Sequence, residues 1–239
     1  MIAIDALDAL DLRLGADVWD FAHSRPAEID AHWAARIARQ PGLFNGRILM
    51  LGPHAIGGRV LRGEFVETDF KNFLAWREWG FPASSACNGF AMAALRGADG
   101  VFILGEMSVH TASAGAVYFP AGTPDLSDVF GETVDLDASV RRELLEETGL
   151  VAAADEIGTG WTLVRAPGRV ACMKPIRLHA TAGAAKARIE ATIAQEARPE
   201  FCAIHLVASP ADFTPAMPEF VRAYMAYVFA GDHQTLVTV

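Results

Sequence analysis

Glycine-bounded runs of β-type residues alternate along this chain with segments of helical spacing, and that alternation limits the fold more than any other feature. From Asn45 the texture is short and β-rich. Asn45-Gly46 signals a turn, RILMLGP follows, then Gly57-Gly58, then RVLRGEFVETDF, which together predict an antiparallel meander. GFAMAALR and GVFILGEM flank Gly97-Ala98-Asp99-Gly100 and read as a hairpin. AVYFPAG reads as a strand broken at Pro120, and GWTLVRAP, RVACMKPIRLHA and FCAIHLVA read as further strands. Helical spacing marks residues 17–40 in two pieces parted at Arg25-Pro26, residues 70–79, residues 134–150, AAKARIEATIAQEA and PEFVRAYMAYVFA. In the second of the two pieces, Ile29, Trp33 and Ile37 recur every four residues, as one buried face would. The polar stretch from Thr123 to Asp135 is expected to be loop. Helix, strands, helix, strands, helix, strand, helix is the order of a layered α/β (α+β) domain. No repeat recurs at periods of about 20–50 residues, which argues against solenoids and propellers.

Composition narrows the partners. The 239 residues are 52% hydrophobic and 21% charged, which rules out wholesale disorder. Lys and Arg number 20 against 29 Asp and Glu, and a surface with net charge -9 repels the phosphate backbone of nucleic acids. Cys87, Cys172 and Cys202 form no C-x-x-C pair and no zinc spacing, so they read as free buried thiols in a reducing compartment. The first twenty residues carry aspartates where an export signal needs positive charge, and no apolar run approaches the roughly 20 residues of a membrane span. A cytoplasmic protein with no membrane or nucleic-acid partner is expected. What composition leaves open is whether the acidity is spread thinly or concentrated.

Part of it is concentrated in VDLDASVRRELLEETGL, residues 134–150. Asp135 or Asp137 can cap this helix and Gly149 can end it. Glu143, Glu146 and Glu147 stand at i, i+3 and i+4 and therefore share one face, with Leu144 and Leu145 expected to anchor the helix. Like charges at that spacing destabilise an isolated helix, so solvent, arginines or a divalent metal must compensate them. Acidic runs are usually solvated faces, but here the neighbours are specific. The string from Arg142 to Leu150, R-E-L-L-E-E-T-G-L, resembles the second half of the Nudix box, G-x5-E-x7-R-E-U-x-E-E-x-G-U with U aliphatic, at all seven specified positions. The first half departs from the pattern. Counting back from Arg142 puts the box glutamate on Val134 and its glycine on Asp128, whereas Gly131-Glu132 looks like the Gly-Glu pair displaced by two residues. Pro120-Ala121-Gly122 resembles the start of the box. Twenty positions separate Gly122 from Arg142 where the pattern has fourteen, so the loop before the helix is about six residues longer.

The resemblance implies a mixed β-sheet sandwiched between helices, with residues 1–85 as an N-terminal helical and β-rich extension and residues 86–239 as the hydrolase domain. It implies hydrolysis of the diphosphate of a nucleoside diphosphate linked to another moiety, and the long N-terminal region points to a nucleotide sugar and to a homodimer. Glu143 and Glu147 would be the main ligands of Mg2+, with Mn2+ as a substitute; Glu146 would add a ligand or hold a water. The Ala121 main-chain carbonyl resembles a further ligand, and Arg142 would orient the glutamates by charge-assisted hydrogen bonds. Such a cluster suits hard oxygen ligands and diphosphate chemistry. The family usually adds an acid some 40–55 residues beyond the box, and Glu200, 53 residues beyond Glu147, is the first candidate, as ligand or as base; Glu190 and Glu196 are weaker ones. A binding module without catalysis remains the competing reading, as does isomerisation on the same fold. His110-Thr111 could touch a substrate, and Trp76, Arg77 and Trp79 could stack on a base, although residues of these types at such spacing more often serve the core.

Overall fold

The computed structural model describes residues 1–236; the last residues of the expected 86–239 domain, 237–239, lie outside the described residues. The strands are β1 (Ala3–Leu7), β2 (Ala9–Leu14), β3 (Arg47–Gly57), β4 (Val60–Asp69), β5 (Asn88–Arg96), β6 (Phe102–Met107), β7 (Val117–Tyr118), β8 (Val129–Phe130), β9 (Thr133–Val134), β10 (Trp161–Ala166), β11 (Arg169–Arg177) and β12 (Phe201–Val207). The helices are α1 (Asp20–Ser24), α2 (Pro26–Arg39), α3 (Phe70–Glu78), α4 (Leu136–Thr148), α5 (Ala182–Ile193) and α6 (Glu219–Leu236). They form the layered α/β arrangement expected, with two mixed sheets.

The larger sheet runs β1-β10-β11-β5-β6-β12, parallel only between β11 and β5. Its central strands are buried on both faces, as sheets covered on both sides are. Alternation along β5 sends Ala91, Ala93 and Leu95 into one core with Val140 and Leu144 of α4 and Ala185 and Ile189 of α5. Phe90, Met92 and Ala94 go to the opposite core, under Phe220, Val221 and Met225 of α6. The smaller sheet runs β3-β4-β2-β9-β8 and closes the first core with Leu49, Leu51, Leu61 and Phe65. Its outer face carries α1, α2 and α3 through Trp19, Ile29, Ile48, Met50, Phe73 and Trp76.

One departure from regularity positions the site. The expected hairpin of β5 and β6 pairs only at its turn end, Arg96 with Phe102, and then opens. The opening is filled by β7, which pairs Gly105 with Tyr118 and Glu106 with Val117, and by Pro120, whose carbonyl accepts from the Ala93 N–H at 2.9 Å. The segment after Pro120 is thus delivered to the mouth of a splayed sheet, the place where layered α/β folds most often bind ligands.

Several local expectations are corrected. Of the α2 stripe only Ile29 is buried; Trp33 is half-buried, with its ring against Phe70 of α3, and Ile37 is exposed. Leu145 is exposed, so Leu136, Val140 and Leu144 anchor α4 instead. The stretch from Thr123 to Asp135 is not plain loop: it holds a 3-10 turn at Leu126–Asp128, capped by Asp125, and the two short strands β8 and β9. The expected meander is confined to the β3–β4 hairpin, because the other side of β4 pairs in parallel with β2. Of the three thiols only Cys172 is buried, since Cys87 is half-buried and Cys202 is exposed on β12. Between the two expected regions, β1 pairs with β10 and Leu51 bridges to Cys87.

Candidate active site

The acidic helix forms as its ends dictate. The Asp135 side chain accepts from the Ala138 N–H at 3.0 Å, and Gly149 takes the left-handed conformation (φ 66°) that lets its N–H close on the Leu145 carbonyl at 2.8 Å. With Leu136, Val140 and Leu144 in the core, the flank carrying Glu143 and Glu147 faces the segment that follows Pro120. The Ala121 N–H donates to Glu147 Oε2 at 2.9 Å. Gly122 lies so close to the Glu143 carboxylate that a Cβ there would collide with it. Glu146, one step round the helix, keeps a side chain 57% exposed.

Arg142 binds this cluster together. One guanidinium nitrogen donates to Glu143 Oε1 at 2.7 Å and to Glu146 Oε2 at 3.2 Å, while the other contacts both oxygens of Asp128 at 3.0 Å. Burial alone would lower its pKa, but Glu143, Asp128 and Glu146 together hold it above its ordinary value. Asp128 is the residue that motif counting missed. The Gly131-Glu132 pair read as the displaced half of the box is instead the exposed tip between β8 and β9, with Gly131 at φ 63°. The inserted residues are taken up by that small hairpin, which leaves the buried carboxylate of the preceding 3-10 turn to meet Arg142. A buried acid three residues into a capped turn is a weak signal by itself, and nothing else in the sequence points to Asp128.

Glu200 immediately precedes β12. The Ser108 N–H donates to its carbonyl and the Ser108 hydroxyl to that of Pro199, both at 2.7 Å, which pins the start of β12 beside the end of β6. Its charge reaches α4. Burial raises the pKa of Glu143 to about 7, an effect eased by Arg142 and reinforced by Glu146 and Glu200. Burial, then Glu143 and Glu200, lift Glu147 well above the ordinary carboxylate range. Glu200 keeps solvent access, yet desolvation by the surrounding protein and the charge of Glu146 raise it too. Glu190 and Glu196 remain solvent-exposed on and just after α5, and the charge of Glu196 raises the pKa of Glu200.

A cavity of about 820 Å³ opens beside the cluster, walled there by Ala121, Gly122 and Glu200. Its remaining walls come from α2, α3, β5, β7, β11, α6 and the segment between β6 and β7, among them Arg77. Trp76 belongs to the core instead, donating to the Pro82 carbonyl at 2.8 Å, and Trp79 packs against Phe21 with its ring beneath Arg25. His110 is held through its carbonyl by Gln40 at 2.8 Å, and its charge lowers the pKa of Glu200.

A metal fits this chemistry in one respect that the structure shows directly. Glu147 Oε1 is buried and accepts from no donor among the described residues, and the Glu200 carboxyl is a hydrogen-bonding neighbour of the same side chain, so two hard-oxygen groups meet inside an acidic cluster. Among the described residues no three acidic, histidine or cysteine side chains already converge as a ready cage. Arg142 engages one oxygen each of Glu143 and Glu146 and leaves the second oxygen of each carboxylate outside its grip.

Among solved structures the chain is similar to a MutT protein from Methanosarcina mazei Go1, with 18% identity over 60% of this chain and 94% of that one and a TM-score of 0.42. It is also similar to a Nudix hydrolase from Nitrosomonas europaea (18% identity, 61% of this chain, 90% of that one, TM-score 0.38) and to the M. smegmatis Nudix hydrolase RenU (12%, 61%, 84%, TM-score 0.34). The chain resembles the Nudix hydrolases. No family model and no curated protein matches it.

Proposed function

We propose that this chain is a Nudix hydrolase that splits the diphosphate of a nucleoside diphosphate conjugate, a nucleotide sugar by preference, using Mg2+. Water attacks one phosphorus, the P–O–P bond breaks, and the products are a nucleoside monophosphate and a phosphorylated second product. The observation that supports this most is the buried Glu147 carboxylate, whose Oε1 accepts from no donor among the described residues, held close to the charges of Glu143 and Glu200 just behind the cavity wall formed by Ala121, Gly122 and Glu200. Glu143, Glu147, Glu146 and Glu200 would hold the metal, with the Ala121 carbonyl beside them. Bound there, divalent ions neutralise diphosphate charge and activate water. Arg142 fixes Glu143 and Glu146 while Asp128 fixes Arg142. Glu200, open to the cavity and raised in pKa, is the side chain suited to take the proton of the attacking water. A cytoplasmic homodimer is the accompanying expectation.

The test is incubation with Mg2+ and a panel of nucleotide sugars, dinucleotides and nucleoside triphosphates, with products identified by mass. Glu147→Gln should lose at least about two orders of magnitude in turnover. Full activity in Glu147→Gln would remove the site assignment. Tight binding of one panel member without turnover would favour a binding module.

A further inference from the structure

Three arginines line the cavity: Arg36, Arg77 and Arg169. Arg36 is matched by Glu78 at 3.3 Å. The other two have no carboxylate within ion-pair distance among the described residues. Arg77 spends its donors on neutral acceptors, the Ala112 carbonyl at 2.9 Å and the Ser113 hydroxyl at 3.4 Å. Arg169 is flanked by the rings of Phe81 at 5.1 Å and Phe220 at 5.2 Å, and no side chain or carbonyl among the described residues accepts from its guanidinium. Burial lowers both pKa values, and the charge of Arg77 further lowers that of Arg169, so the two cations share one partly desolvated space. Beside Arg169, its register partner across β5 and β11 is Asn88, which also lines the cavity and whose Oδ1 is buried without a partner. Two partly desolvated cations without an ion-pair carboxylate and an unpaired carboxamide oxygen facing one cavity carry a desolvation cost that a complementary ligand would offset.

We propose that Arg77 and Arg169 form a subsite for an acidic group, carboxylate or phosphate, that the substrate carries in addition to its diphosphate. Asn88 accepts from a hydroxyl or N–H next to that group. The reading rests on the hydrolase proposal above and specifies its substrate class: a conjugate whose non-diphosphate part is itself anionic. Arginine suits the task because its planar fork grips carboxylate and phosphate oxygens in pairs and stays charged when partly buried.

Matched probes separate this from diphosphate binding. UDP-glucuronate and UDP-glucose differ by one carboxylate, and coenzyme A and dephospho-coenzyme A by one phosphate. The full-length protein should favour an acidic member over its neutral partner by about tenfold or more in kcat/KM, expressed mainly in KM. Arg169→Gln and Arg77→Gln, first shown to keep the parent melting temperature, should erase the preference. If either replacement misfolds, Arg169→Lys, which keeps the charge but not the fork, should reduce the preference part-way. Equal loss on both members of a pair would place the arginines on the diphosphate and overturn the proposal. If no probe is turned over, the hydrolase reading fails separately, and calorimetric binding decides: selective binding of an acidic member, lost in Arg169→Gln, supports the subsite, and binding without preference, or none, overturns it.

Discussion

The Arg142 guanidinium touches three carboxylates at once, and the most buried of them, Asp128, is only 2% exposed in its side chain. That makes Asp128 the support on which the orientation of Glu143 depends. Asp128→Asn keeps the volume but removes the charge and turns an amide toward the guanidinium. It is expected to lower unfolding free energy by about 2 kcal/mol. Turnover should fall by roughly 10- to 100-fold, as when the outer support of a metal ligand is removed. Glu132→Ala, at the exposed hairpin tip, should stay within about 0.5 kcal/mol and keep its rate. Urea denaturation and initial rates on the two variants check this; parity between them would show that Arg142 needs no buried anchor. The contrast also shows what the sequence hides at this scale. Arg142 and its glutamates are legible because they lie on one helix with fixed spacing. Asp128 is not, because its partnership depends on how a small hairpin absorbs the inserted residues.

At the scale of elements, α4 meets the segment after Pro120 across a gap with no room for a methyl group at Gly122. Gly122→Ala must push the Glu143 carboxylate away, so metal affinity, read by calorimetry, should weaken by about tenfold or more while α4 itself stays folded. The same crowding gives the cluster a pH signature. Glu143 titrates at about 7 in the folded chain, above the 4.5 of a free glutamate, and Glu147 and Glu200 shift the same way. A raised pKa means that the folded state holds the proton more tightly. The stability that Glu143 contributes is therefore complete below about pH 4.5 and is lost as pH climbs through about 7, and Glu147 and Glu200 act in the same direction. A divalent ion competes with those protons. The rise in melting temperature on adding Mg2+ should accordingly be larger at pH 8 than at pH 5.5. An equal or smaller rise at pH 8, measured by differential scanning fluorimetry, would count against the cluster as the metal's place. The helix is legible in the sequence, caps included. The gap is not, since it depends on β5 and β6 parting to admit β7, and nothing in GFAMAALR or GVFILGEM marks a hairpin that opens after one pair.

For the whole molecule, the question is whether residues 1–85 are an attachment or part of the same folding unit as the acidic helix. Leu10, Leu12 and Leu14 alternate with Asp11 and Arg13 as a half-buried strand does, but the sequence does not say where such a strand pairs. In the fold, β1 covers the edge of β10 through five residue pairs, from Ala3 with Arg165 to Leu7 with Trp161. Leu49, Leu51, Leu61 and Phe65 complete the core that α4 rests on. Two of the three cavity arginines, Arg36 and Arg77, also come from this region. A fragment beginning at residue 86 would bare the β10 edge and leave the acidic helix over a core open on one side. Each buried leucine or phenylalanine whose partners are removed forfeits about 1.5–3 kcal/mol of burial, and four such losses approach the whole stability of an ordinary domain. Fragment 86–239 is therefore expected to show helix and strand in far-UV circular dichroism but weak near-UV signal and no cooperative urea transition. Adding a separately expressed 1–85 segment should not restore turnover unless it also restores that transition, because the edge pairing and the cavity wall come from the same residues. A sharp, two-state transition in the fragment alone would mean that α4 and its glutamates are held without the smaller sheet, and that residues 1–85 serve only to shape what the cavity accepts.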